Sequence, residues 1–395
     1  MWWSVLACAP PPVELEPPGT EGCGADCVEA PDDPDQRLGF QRLAADASGV
    51  WLTFGLADRD HLTNLWVHRL GADGELGPGT EVPTTGTVFA GATERPALAL
   101  GEGVLGVAFT SVDPYRHGDA RSVWLTEGVP DGSRVTFDEP ALIDVIEPED
   151  VPEAPEGAQL VVEHASLAYE VNEPWLLWKR QVWGTTDQVV WARQDEGYVV
   201  RPVSEELPIA HDCSPPDFRM GPEGPLLAVR VHTGRTLQTA VATGDDFQEV
   251  RQISNDPYPY SGEICPEDGP RILVRADGSL VAGWIAPASD AAPRLHLATS
   301  DDGGATWTAP WVDADGPTFG QRWLAMTEDL DGRLVVAAEG VDRRTELLTD
   351  PAGAGEREPL LVDGASLRNV ELATGPDGVV AVGIDPDGQL RTTLP

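Results

Sequence analysis

The chain has 395 residues, with 66 Asp or Glu against 26 Lys or Arg and a formal net charge of −40. A surface this acidic repels phosphate backbones, which argues against a nucleic-acid partner and favours solubility and cation binding. A hydrophobic share of 41% suffices for a core, and 42 glycines with 36 prolines favour short strands and tight turns over long helices.

The chain opens on MWWSVLAC. "VLAC", ending at Cys8, resembles a bacterial lipobox, in which that cysteine carries the lipid and becomes the mature N-terminus. The resemblance implies export and a lipid anchor on a bacterial membrane, or secretion. It departs from the pattern because the residues before Cys8 include no basic one, and a signal peptide needs a basic n-region and an apolar stretch of roughly 7–15 residues. Residues 9–36 are rich in Pro, Glu, Asp and Gly and cannot bury enough apolar area to fold, so a tether is expected there. No later stretch is long and apolar enough to span a membrane. Beyond Cys8, four cysteines remain: Cys23, Cys27, Cys213 and Cys265. In an exported chain they suggest disulfides, for which three pairings exist. Zinc at C-x3-C is the rival, without a second close pair or a His cluster to support it.

From residue 40 one unit recurs, an apolar strand, a Gly-containing turn and a second apolar strand. It appears at 43–54, 96–109, 165–178, 218–229, 272–284, 324–337 and 370–383, each read as a β-hairpin. A third strand follows in several units, with Trp66, Trp124 and Trp191 in similar places and LHLATSDDGG (295–304) in the fifth. Units of this length, built from short strands, predict an all-β fold, a β-propeller of about seven four-stranded blades over 37–395. Six blades is the alternative. The last unit is short by one strand, and residues 33–41 are the expected donor, closing the ring and removing a sheet edge. Cys213 and Cys265 precede the first strands of consecutive units, which favours Cys213–Cys265 and hence Cys23–Cys27.

Residues 300–307 match S-x-D-x-G-x-T-W: Ser300, Asp302, Gly304, Thr306 and Trp307. This resembles the Asp-box, or bacterial neuraminidase repeat, which lies on the hairpin joining the third and fourth strands of a propeller blade. The spacing has a physical reason: Asp302 can accept N–H bonds within its turn, Gly304 can take a positive φ, and Trp307 can cover the hairpin. A structural staple is expected, not a catalytic group. Families with Asp-boxes include exo-sialidases, other glycoside hydrolases, sorting receptors and non-catalytic assembly factors, and fold does not choose among them.

A sialidase-like site implies three arginines around a carboxylate, an Asp acid/base and a Tyr–Glu nucleophile. Arg42, Arg95, Arg219, Arg271, Arg322 and Arg368 lie near first strands, with Arg95, Arg271 and Arg322 the candidate clamp. Pairing of each with an acidic neighbour is the simpler expectation. The family's Arg-Ile-Pro is missing and no tyrosine follows Tyr260, so the nucleophile has no candidate. HExxH and Gly-x-Ser-x-Gly motifs are also missing, and the seven histidines are scattered. DLDG (329–332) and DPDG (385–388) lack the further carboxylates of a calcium loop, and turn chemistry accounts for them. No metal or cofactor is expected. Trp183, beside Lys179 and Arg180, and the loop carrying Tyr258 and Tyr260 are candidate platforms for a sugar or peptide. The sequence therefore favours a monomeric, non-catalytic, lipid-anchored propeller outside the cytoplasm that binds a glycan or a cell-surface protein through its loops. An exo-sialidase-like hydrolase acting on acidic sugars is the alternative.

Overall fold

A computed structural model describes residues 27–28, 36–58, 61–89, 95–112, 121–145, 160–182, 186–203, 214–233, 236–244, 246–254, 269–287, 292–313, 319–340, 342–352, 355–362 and 364–394. Among them the only helical element is a single 3-10 turn, Gln194–Glu196, and no helix is long and apolar enough to cross a membrane.

The strands form a seven-bladed β-propeller. Each blade is an antiparallel meander in chain order from the axis outward. The innermost strands are Gln36–Asp46, Ala97–Gly101, Leu160–Glu170, Asp217–Gly221, Arg271–Val274, Phe319–Glu328 and Arg368–Gly375. Each is followed by a tight hairpin, and all seven hairpins read from the sequence are present. The innermost strands all begin at one end of the ring, here the mouth face, and end in these hairpins at the other, the far face.

The second strands read as near-continuous apolar runs because a blade is covered on both faces. Successive residues alternate between the two neighbouring blades. Trp51 packs toward blade 2 and Leu52 toward blade 7; Trp178 packs toward blade 2 and Leu177 toward blade 4. Seven apolar clusters result, one at each interface, including the 7/1 interface where Leu38, Phe54 and Trp66 meet Val382 and Leu390. Seven blades and seven interfaces exclude the six-blade alternative.

Closure differs from expectation. Residues 36–46 are the innermost strand of blade 1, not the donated outer strand. Blade 7 is completed by Cys27–Val28, paired antiparallel with Leu390 and Arg391. This pair falls inside the segment expected to be a tether. Blades 1 and 2 are also stitched together by Thr87–Phe89, which pairs with His61–Leu70 of one and Val104–Val112 of the other. Cys8, Cys23, Cys213 and Cys265 lie outside the described residues, and no disulfide is seen among those described.

The 300–307 turn joins Pro293–Ser300 to Trp311–Val312, the third and fourth strands of blade 5. Asp302 Oδ1 accepts the Thr306 N–H at 2.8 Å and its Oδ2 the Thr306 hydroxyl at 2.6 Å. The Ser300 hydroxyl donates to Asp302 and accepts the Gly304 N–H at 2.9 Å. Gly304 has φ 98°, and Trp307 Nε1 donates to the Gly304 carbonyl at 3.0 Å. Asp329 and Asp385 cap their turns similarly, each accepting two backbone N–H bonds on one carboxylate oxygen.

Candidate functional site at the channel mouth

The innermost strands converge on a narrow polar channel of about 60 Å³ along the ring axis, lined by Arg42, Asp217, Arg219, Arg271 and Glu371 among others. Four of these strands carry a β-bulge toward the mouth, between Gly39 and Arg42, Glu163 and Ser166, Phe319 and Leu324, and Arg368 and Glu371. One extra residue stands against the partner strand in three of them and three extra residues in the Phe319–Leu324 irregularity, which re-aims the side chains beside them. His164 and Asn369 sit in two of them with φ of 58° and 54°. Both residue types visit this region more readily than most.

The centre of the mouth is built on Glu371. Its Oε1 receives Arg42 and Arg95, the latter at 3.1 Å. Arg42 and Glu371 hold equivalent positions in blades 1 and 7, each followed by Leu-Ala, so neighbouring blades bring them face to face. The Arg95 side chain is 1% exposed, Glu371 11% and Arg42 23%. Arg95 also lies over the Trp323 ring, its Cζ 3.2 Å from the ring centroid. Around this pair Gln41 donates to the Asn369 carbonyl, and the Asn369 N–H donates to the buried Glu339 carboxylate at 3.0 Å.

A second charged group lies at the same end, between blades 2 and 3. Glu163 faces Lys179 Nζ and His164 Nε2, each at 3.5 Å from Oε1, and Arg121 at 3.7 Å from Oε2. Beside it Asp144 accepts Trp178 Nε1 at 2.7 Å and Arg180 Nε at 2.8 Å. Lys179, the one lysine of the chain, is fully buried here. Arg42, Arg95, Arg121, Lys179 and Arg180 thus each lie within reach of a carboxylate on this face.

The candidate clamp consists of Arg95, Arg271 and Arg322. Arg95 and Arg271 both reach the channel region, but Arg95 is held on Glu371, and the Arg322 side chain lies outside the described residues. Arg42, outside that candidate set, shares the Glu371 carboxylate with Arg95. Arg368 instead donates to the Asp385 carbonyl, and Arg219 faces Asp217 at 3.5 Å. Trp183, Tyr258 and Tyr260 lie outside the described residues. Tyr169 and Tyr198 sit toward the far face; burial and the nearby Glu127 push both phenols well above their usual range. Among the described residues, no group of three His, Cys, Asp or Glu side chains could hold a metal ion.

No family model matches the chain, and no curated protein matches it. Solved structures do. A protein of unknown function from Dyadobacter fermentans is 13% identical at a TM-score of 0.48, over 93% of this chain and 96% of that one. The Hadza microbial sialidase Hz136 is 9% identical at 0.46, over 91% of this chain and 66% of that one, so this chain spans about two thirds of that sialidase. A fucose-specific lectin from Aleuria aurantia is 11% identical at 0.43, over 82% of this chain and 95% of that one. The seven-bladed assignment rests on the strand pairing of this chain itself.

Proposed function

We propose that this protein is a non-catalytic binding propeller that takes a glycan or a protein on its mouth face. The observation that carries the reading is the occupation of Arg42 and Arg95 by Glu371. A carboxylate from the chain already meets the charge of two arginines that a carboxylate-clamping hydrolase would turn toward substrate. Arg271 lines the channel wall beside them and is the residue chosen to probe whether a ligand sits there. Trp183, Tyr258 and Tyr260 are assigned to the same ligand on the sequence argument, as stacking platforms. The protein is further proposed to be a monomer held outside the cytoplasm by a lipid on Cys8, with Cys23–Cys27 and Cys213–Cys265 as disulfides.

The second reading, an exo-sialidase-like hydrolase of acidic sugars, draws on the gathering of arginines around one channel. A glycan array probed with the full chain and with Arg271→Ala tests the first reading. Binding to a defined glycan class, weakened at least about tenfold by the substitution, supports it. Binding that the substitution leaves unchanged removes the mouth from the account.

A further inference from the structure

Six of the seven innermost hairpins turn on a glycine with positive φ: Gly49, Gly103, Gly224, Gly278, Gly332 and Gly378. Blade 3 turns on Glu170-Val171-Asn172-Glu173, and Val171 takes φ 60°. A β-branched residue in the left-handed region is an outlier, because its Cβ substituents crowd the backbone. Val171 is also 67% exposed, so burial does not offset the strain. The turn is fixed from blade 2, where the Glu102 N–H donates to the Val171 carbonyl at 2.9 Å. It is fixed from within blade 3 as well, where Glu173 accepts the Asp195 N–H at 3.0 Å. The segment tied down by that bond continues to Tyr198, again left-handed at φ 57°, and to Val199, 53% exposed. Val129, 62% exposed, stands at the same end of blade 2.

One corner of the far face thus carries left-handed backbone at Val171 and Tyr198 together with the exposed side chains of Val129, Val171 and Val199. Strain of this kind persists only where the surroundings impose it, and it gathers at ligand clamps. Glu102 is hydrogen-bonded to the Val171 carbonyl and Glu170 and Glu173 flank Val171 in its turn, while the nearby Arg193 is taken by Asp195 and Glu196 at 2.8 and 2.6 Å. The corner therefore combines exposed valines with the acidic neighbours of Val171, and Arg134, paired in register with Asp131, is an exposed cation beside Val129. We propose that it is a docking surface for a partner-protein segment that presents an apolar side chain between Lys or Arg residues. A second copy of this chain is a poor occupant, since it brings a net charge of −40 and the same acidic residues. An anionic bilayer is disfavoured for the same reason.

The test uses the full chain as bait for a random dodecapeptide phage library. Selected peptides are then titrated by fluorescence anisotropy against wild type, Val171→Asp, Val171→Gly and, as a control elsewhere on the far face, Leu330→Asp. The expected peptides place Lys or Arg beside an apolar residue and bind more weakly as salt rises. Their affinity falls about tenfold or more in Val171→Asp and holds in Leu330→Asp. Val171→Gly separates the display from the fold: it relieves the left-handed valine, so its melting temperature rises above wild type while peptide affinity falls. Peptides that bind wild type and Val171→Asp equally would overturn the proposal. So would an acidic consensus, full affinity in Val171→Gly, or self-association of the chain that Val171→Asp abolishes.

Discussion

Glu371→Gln isolates the electrostatics of the mouth. The carboxylate meets two guanidiniums, one with a side chain 1% exposed and one 23% exposed. Breaking a buried ion pair by removing one partner costs about 3–5 kcal/mol, because the other charge stays behind in a poor solvent. Arg42 reaches water and places this case near the lower end. The amide keeps an acceptor oxygen, which returns about 1 kcal/mol of neutral hydrogen bonding. The expected loss is therefore about 2 kcal/mol, read as a lower urea midpoint by circular dichroism with an unchanged slope. Glu371→Ala, without that acceptor, falls further. An unchanged or higher midpoint for Glu371→Gln would refute the claim that this carboxylate neutralises the arginine pair.

Four further outcomes are expected. His68 is buried between Phe54 and Gly79, and desolvation holds its pKa below the usual 6.5 despite the Nδ1 contact to the Gly77 carbonyl. A depressed histidine pKa means the unfolded chain binds the extra proton first, so stability falls as pH drops below about 6.5; His68→Gln should flatten that part of a melting-temperature profile against pH, and an unaltered profile would count against it. Asp302 is held below its usual range by hydrogen bonds from the Thr306 hydroxyl and N–H and from Ser300, so its contribution is present above the unfolded carboxylate pKa and lost as pH falls through the lowered one; Asp302→Ala should lower the melting temperature at neutral pH and leave any mouth ligand bound. Lys179, fully buried, should escape an amine-reactive reagent in the folded chain and be modified once urea unfolds it, as peptide mass spectrometry would show. Added sodium chloride should raise the melting temperature by screening the self-repulsion of a net charge of −40, and a fall with salt would contradict that.

The sequence revealed the hairpins because their signal is local. A glycine, or a pair such as Val171-Asn172, separates two apolar runs, and burial on both faces keeps those runs apolar. The Ser300–Trp307 turn was legible for the same reason, since all its hydrogen bonds close within a few residues. What escaped is non-local. Cys27–Val28 is two residues of a Pro-rich acidic segment, and nothing in its composition marks a strand; its partner lies at the opposite end of the chain. Thr87–Phe89 is too short to carry a period, yet it joins two blades. The four bulges depend on register between strands, which alternation alone does not encode. At the mouth, six arginines near first strands could be named, but not which would share a carboxylate. Arg42 and Glu371 meet because ring closure makes blades 1 and 7 neighbours, and their equivalent positions, each followed by Leu-Ala, are the signal that could have paired them.

The central claim is binding without turnover at the mouth. The most direct measurement incubates the full chain with a fluorogenic sialoside and a panel of other fluorogenic glycosides, beside Arg42→Ala and Arg271→Ala variants whose folding is checked by circular dichroism. The account predicts no turnover of any substrate by wild type. Turnover by wild type that either folded variant abolishes would contradict it, and would make the channel mouth an active site.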